Sequence, residues 1–562
     1  MKKQIYALFL GALLATTPAF SQDRVGQCTP AMAEAFLDVG NVRARILNNG
    51  GLFQGGPDLN YQVPLSIRAN SVYSASLWIS GFVDDELRMA ASRYGPFEFW
   101  PGPLDENGNP PADCSIYDKI WEIRSSDIDT FATYGVITEN LQNWPWDLGA
   151  PVIDGDGIPN NYNIAAGDLP ELLGDQRLWW IMNDRGNTHE SSNTKPIGLE
   201  VHASAFAFAF SGDGSSKEVL PNYTFYDYKI INKSNQPLTD AYISMFADAD
   251  LGNASDDYAG SDSLLQVGYV YNGGNNDNLC GRGVPPPAVG FTLFTDKLAE
   301  KDGVDNNFDG VVDEPGEQLG VSSIIANAEP YNKEMYRNIM LGLWEDERPI
   351  LFGGQGREGF GFPNDLPRKE TRFIFSNNPI QRGFWSEANG DNRGTPNKPG
   401  DRNVVTSMGS FDFAPAEKIN FRMAIVWSQA GTNLQSVDLL LRETASLRAK
   451  SDALFGIEQR AEESATDSPI ESESTFSPDV HSNYPNPFTE QTTINYTLQH
   501  SMAVRLSVFD MLGREVQNLV NQQQDAGNYT VDFNAGDLPA GIYFARIQLD
   551  GNQFTRRMTL IR

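Results

Sequence analysis

Histidine is almost missing from this chain, with 4 in 562 residues, and only His189 and His202 lie between residues 22 and 456. A Ser-His-Asp or Cys-His centre there would have to use one of those two, and a lone histidine beside a strand is usually structural. There is no HExxH, since His189-Glu190 is followed by Ser191-Ser192-Asn193, and no GxSxG elbow. These absences argue against a peptidase. They argue only weakly against a glycosidase, which needs no more than two carboxylates in a cleft. Cysteine is scarce as well: Cys28, Cys114 and Cys280 allow one disulfide at most within a monomer, and sequence does not choose the pair. A disulfide-stapled scaffold is thereby excluded. Basic residues are outnumbered, 42 Lys plus Arg against 73 Asp plus Glu, for a formal charge of -31. Such a surface repels nucleic-acid phosphates and anionic lipid and favours divalent cations, so no nucleic-acid partner is expected. After the N-terminal segment no stretch is apolar enough to cross a bilayer, and the mature chain is expected to be soluble, without a transmembrane span.

What is present begins with a leader. Lys2-Lys3 precede an apolar run through Leu14, and Ala19-Phe20-Ser21 offers small residues at the two positions a signal peptidase reads, so residues 1–21 are read as a signal peptide. A main region follows over 22–456, and nearly all of its regular pattern is strand. VHASAFAFAF from Val201 sets Phe206, Phe208 and Phe210 on one face and alanines on the other. Further strands are YTFYDYKIIN, AYISMF, LLQVGYVYN, VGFTLFTD, TRFIFS, VVTSMGSFDF and INFRMAIVWS. The expected architecture is all-β, one or two antiparallel sandwiches, with a division near residue 215 if there are two. The exception is Ser436 to Phe455, where Val437, Leu440, Leu441, Leu447, Leu454 and Phe455 form one helical stripe, capped by Asn433 or Ser436 and ended by Gly456. Residues 457–479 are acidic, rich in Ser and Glu, and read as a linker. The tryptophans, Trp179-Trp180 among them, suit core packing better than stacking on sugar rings.

Metal binding is the one chemistry with a legible spacing. In DGVDNNFDGVVDE, Asp305, Asn307 and Asp309 alternate, Gly310 permits a sharp turn, Val311 can offer its carbonyl, and Asp313 and Glu314 follow. A hard cation such as Ca2+ takes six to eight oxygens, which alternate residues of a tight loop can deliver. The loop departs from an EF-hand, because the twelfth position from Asp305 is Gly316 and no helical pattern flanks it. Two further clusters share the logic. Asp248 and Asp250 end a strand, with Asp256, Asp257 and Asp262 expected in the loop after it; Asp154, Asp156 and Asn160 have the opening of a calcium loop without its close.

The last stretch, 480–562, alternates short apolar runs (TTINYTL, VRLSVFD, YTVDF, IYFARIQL) with turns, the pattern of a small Ig-like antiparallel sandwich. Four motifs follow in order: Tyr484-Pro485-Asn486-Pro487-Phe488; Val508-Phe509-Asp510 with Leu512-Gly513-Arg514; Gly541-Ile542-Tyr543-Phe544; and Arg556-Arg557 before the end. Here the chain resembles the type A C-terminal sorting domain of cargo of the Bacteroidetes type IX secretion system. That resemblance implies recognition by the outer-membrane secretion machinery, and release or anchoring on the cell surface after passage through the periplasm. Segments of the main region, among them LWISG, FWPGPL, GDQRLWW and ADADLG, are similar to uncharacterised cargo of the same route, with no activity to transfer. The resulting expectation is a secreted surface protein with a non-catalytic binding, adhesive or structural role and calcium-stabilised loops, surface glycans being one class of partner. The alternative is a polysaccharide-acting glycoside hydrolase.

Overall fold

The computed structural model describes residues 25–55, 60–66, 70–209, 222–277, 284–306, 312–358, 368–376, 378–380, 385–391, 393–455, 479–480, 488–498, 501–510, 515–525, 527–536, 538–539, 541–549 and 552–560. The signal peptide, the acidic linker and Cys280 lie outside them. By internal contacts one compact unit takes in the chain to Asp302 and Pro315–Gln459, and a second takes in Gly303–Glu314 and Arg460–Arg562.

The first unit is built on two antiparallel sheets. One runs, in spatial order, Glu34–Leu37, Arg43–Leu47, Gly51–Leu52, Ser74–Val83, Leu238–Ala249, Arg402–Phe413 and Val321–Ala326. The other runs Asp257–Asp262, Val267–Asn272, Pro287–Thr295, Lys418–Gln429, Tyr223–Asn232, Leu199–Ala207, Gln176–Asn183 and Trp100–Pro101. Strands from either side of residue 215 therefore pair within both sheets, as 74–83 does with 238–249 and 199–207 with 223–232.

The alternation of side chains explains the layering. Tyr226, Tyr228 and Ile230 point from their strand into the core shared with Trp78, Met245 and Phe246 of the facing sheet. Earlier in the same strand, at the alternate positions, Tyr223 and Phe225 join Phe206, Tyr269, Val426 and the helix residues Val437, Leu440, Leu441 and Leu447 in a second apolar layer. A third covers the strand Gln176–Asn183, where Trp179 and Ile181 meet Ile123, Leu141 and Trp144. That strand is buried at every position, which is why QRLWWIMN reads as an unbroken run rather than an alternation.

Some expectations shift in detail. The long helix spans Asn433–Phe455, a turn earlier than its apolar stripe suggests. Thr432 holds its start, accepting the Gln435 N–H at 3.2 Å, while the Ser436 hydroxyl instead bonds the Pro286 carbonyl at 2.7 Å. Helices also occur at Ser125–Tyr134, Glu139–Gln142 and Lys333–Met340, where no helical pattern was expected. The Gly- and Pro-rich stretch 95–114 buries Phe99, Trp100 and Leu104. Cys28 and Cys114 form the disulfide, brought together where Gly26 and Cys28 donate their N–H groups to Arg185 and Gly186 carbonyls.

The second unit carries two small sheets. One holds Asp479–Val480, Gln491–Leu498 and Gly527–Asn534; the other holds Glu515–Gln524, Met502–Asp510, Gly541–Leu549 and Asn552–Leu560. Ile494, Tyr496, Val504, Leu506, Phe533, Ile547 and Met558 make their common core, the small sandwich expected from the alternation.

Candidate metal centre

The strand Leu238–Ala249 is buried almost throughout, and its last turn-ward residues are acidic. Asp248 lies opposite Ser74 on one side and Asn403 on the other. The ladder continues to Ala249 opposite Arg402, so the next residues along it are Asp250 and Asp401. Antiparallel register thus carries Asp401 from far along the chain to the end of this strand. The carboxylates of Asp248, Asp250 and Asp401 each offer an oxygen, all within 4.8 Å of one another. At that spacing each pair repels by roughly 3 kcal/mol for an effective dielectric near 20, less where exposed Asp401 is involved.

Few groups offset this charge. Tyr94 donates its hydroxyl to Asp248 Oδ2 at 2.8 Å. Arg402, the neighbour of Asp401, is turned to Glu387, with Nε 3.0 Å from Oε2. Among the described residues no basic side chain forms an ion pair with any of the three acids. Burial above all, with Asp401 and Asp250 adding to it, pushes the Asp248 carboxyl up to about 7 in spite of the Tyr94 bond. Burial and Asp401 push Asp250 up to about 6. A divalent ion would reverse both effects, since oxygens that repel one another become ligands of one centre.

The second converging group is Asp154, Asp156 and Asp168, again within 4.8 Å. Asp168 joins Asp154 and Asp156 and supplies the close that the sequence lacked. Here the loop largely holds itself. Asp168 accepts N–H groups from Gly155 at 3.0 Å and Asn163 at 2.6 Å, and the Asn163 bond chiefly holds its carboxyl below the usual range. Asp154 accepts the Gly157 N–H at 2.6 Å and Asp156 that of Ile158 at 2.9 Å. Gly155 is required by close approach, since a methyl there would fall 2.2 Å from the Gly167 carbonyl oxygen.

The remaining sequence candidates divide. Asp262 ends the strand Asp257–Asp262 rather than lying in a loop, and caps its own turn by accepting the Leu265 N–H at 2.9 Å. It is therefore removed from the acidic strand end by the length of that strand. Asp256 closes a 3-10 turn and Asp257 begins the strand. Of the DGVDNNFDGVVDE loop, Asn307, Asp309, Gly310 and Val311 lie outside the described residues, while Asp313 accepts the Gly303 N–H at 2.8 Å. Asp305, Asp313 and Glu314 belong to neither converging group. The two histidines of the main region are held by neighbours. His189, buried, sets its ring nitrogens 2.6 Å from the Met89 carbonyl and 2.7 Å from that of Asp184, and His202 meets Glu200 at 2.9 Å. Of the tryptophans only Trp146 is exposed, stacked on Tyr162 at 6.4 Å.

In the C-terminal unit Phe488 is buried, bridges in parallel to Leu560 and packs 5.8 Å from Phe533. Tyr543, two residues into the strand that Gly541 begins, donates its hydroxyl to the Pro539 carbonyl at 2.8 Å and so fixes the preceding turn. Asp510 ends its strand opposite Tyr543. Arg556 and Arg557 lie on the final strand opposite Ala545 and Phe544. Tyr484, Pro485, Asn486, Pro487, Gly513 and Arg514 lie outside the described residues.

Residues 482–561 match the family model of the secretion system C-terminal sorting domain. None of the curated proteins is significantly similar to the chain. Among solved structures, a polysaccharide lyase matches at 8% identity and a TM-score of 0.19, covering 73% of this chain and 38% of its own. Dimeric latent PorU from Porphyromonas gingivalis matches at 10% identity and 0.15, covering 69% and 32%. The chain thus spans only about a third of the length of either, and at such scores neither likeness carries an argument. No helix among the described residues is long and apolar enough to cross a membrane. The C-terminal residues form a sorting domain, and that domain marks the chain as a cargo of the type IX secretion system, secreted or displayed on the cell surface.

Proposed function

We propose that the main unit serves a binding or structural role at the cell surface, and that a divalent cation, calcium by its preference for hard oxygen donors, secures it at Asp248, Asp250 and Asp401. One observation carries this reading: three carboxylates converge at a strand end with a single hydroxyl donor between them. Water and protein dipoles alone serve such a cluster poorly. The C-terminal domain addresses the secretion machinery. The polysaccharide-hydrolase alternative draws less support from the tryptophans, all of which except Trp146 and half-buried Trp121 lie in the interior. Calcium titration of the mature chain tests the reading. Chelation is expected to lower the melting temperature, calcium to restore it, and Asp248→Asn plus Asp401→Asn to weaken the response. Equal melting with chelator and with calcium would reject it.

A further inference from the structure

Both ring nitrogens of His189 face oxygens that can only accept. Nδ1 lies 2.6 Å from the Met89 carbonyl oxygen and Nε2 2.7 Å from that of Asp184, and the side chain is fully buried. A neutral imidazole carries one N–H, so in either tautomer a ring lone pair would meet a carbonyl lone pair. Contacts this short leave no room for a bridging water. Both nitrogens therefore carry a proton, and the ring is a cation.

The surroundings suit that charge. Glu98, equally buried, sets Oε2 3.5 Å from Nδ1. Its carboxylate accepts the N–H groups of Ala91 at 2.8 Å and Ser192 at 2.7 Å and the Ser192 hydroxyl at 3.0 Å. Burial pushes the Glu98 carboxyl up, and His189 is first among the groups that draw it back. The Trp100 ring stacks on the imidazole at 5.7 Å, where a cation gains from the ring face. Other charged groups of these segments are engaged elsewhere: the Asp184 carboxylate accepts the N–H groups of Ile197, Gly198 and Leu199, Arg185 donates to the Gly108 carbonyl, Arg88 to that of Pro196 and Arg93 to that of Ala328. Met89 and Glu98 are the two ends of a segment whose middle holds Tyr94, the donor to Asp248.

We propose that His189 is a doubly protonated latch, whose cation ties both ends of segment 89–98 to the loop 184–194 and whose loss of one proton releases that segment. The folded loop keeps a proton that an unfolded imidazole gives up near pH 6.5. The latch is thus fully closed below about that pH, and its contribution is lost as pH rises.

Neutron diffraction from crystals of the parent at about pH 7.5, where an ordinary imidazole is mostly neutral, reads the protons directly. Deuterium on both Nδ1 and Nε2 of His189 is expected; deuterium on one alone overturns the proposal. Hydrogen exchange of the mature full-length chain reads the release. Amides of residues 91–98 are expected to lose protection with rising pH beyond the intrinsic dependence of exchange, and in His189→Gln to lack that excess pH dependence and to be poorly protected throughout. Protection in the parent that follows the intrinsic dependence alone overturns the release. Should His189→Gln fail to fold, the two measurements on the parent still decide.

Discussion

Tyr94 donates its hydroxyl to Asp248 Oδ2 across 2.8 Å, tying the segment after the strand Glu86–Ala90 to the acidic end of strand 238–249. The bond fixes which way the Asp248 carboxylate faces. Partners of this kind orient metal ligands, and their loss typically weakens affinity by about 10- to 100-fold. Tyr94→Phe is expected to fold, to lose about 1 kcal/mol of stability, and to need more calcium for the same rise in melting temperature. An unchanged calcium midpoint would show that the tyrosine supports the strand and not the ligand.

The raised carboxyls set the pH dependence. Asp248 and Asp250 have folded values near 7 and 6 against an ordinary 3.8, so the folded state binds protons more tightly than the unfolded one. Stability that protonation confers is then complete below about pH 4 and is lost as pH rises through 6 and 7. Chelated protein should therefore become less stable between pH 4 and 7 on account of these groups. Calcium should oppose that fall, and its affinity should rise over the same interval as protons leave. Denaturant melts at several pH values, with and without calcium, read both slopes.

Removal of Tyr484 to Arg562 takes away the sorting domain and should leave the protein in the periplasm. Cell fractionation and surface labelling would detect it. Surface display of the truncated chain at normal levels would contradict the assigned route.

The DGVDNNFDGVVDE loop gives a separate expectation. Asp305→Ala with Asp309→Ala should lower the calcium-dependent part of the melting temperature if that loop binds an ion. Combined with Asp248→Asn and Asp401→Asn, the losses should add if the two sites act independently. No effect from the loop pair would confine the calcium response to the strand-end clusters.

The covering helix offers a test of the fold itself. Leu440 is fully buried against Gly290, where a methyl would come within 3.2 Å of its side chain. Leu440→Ala is expected to cost about 2–5 kcal/mol, measured by urea unfolding.

Strands were legible in the sequence wherever alternation or an unbroken apolar run reached a full sheet face, as in YTFYDYKIIN and QRLWWIMN. The sorting domain was legible from ordered motifs. The short helix Ser125–Tyr134 was not, because only Asp127 of its residues is buried and an arginine, Arg124, occupies its cap. The cysteine pair was hidden because 86 residues separate Cys28 from Cys114, and backbone bonds from Gly26 and Cys28 to Arg185 and Gly186 seat the Cys28 side. For the candidate site, Asp248, Asp250 and Asp154 with Asp156 stood out by spacing of two. Asp401 and Asp168 did not, since each arrives from elsewhere in the chain through register or a returning loop. The pair Asp250 and Asp401 follows from the 238–249 and 402–413 ladder once that pairing is known.

Strand 238–249 sits in the interior of its sheet, gripped by 74–83 on one flank and 402–413 on the other. Its acidic tip is thus a seam where neighbouring strands meet and where the chain provides little countercharge of its own. If the proposed cation closes that seam, then in water poor in divalent ions the rim of the sheet is where fraying should start.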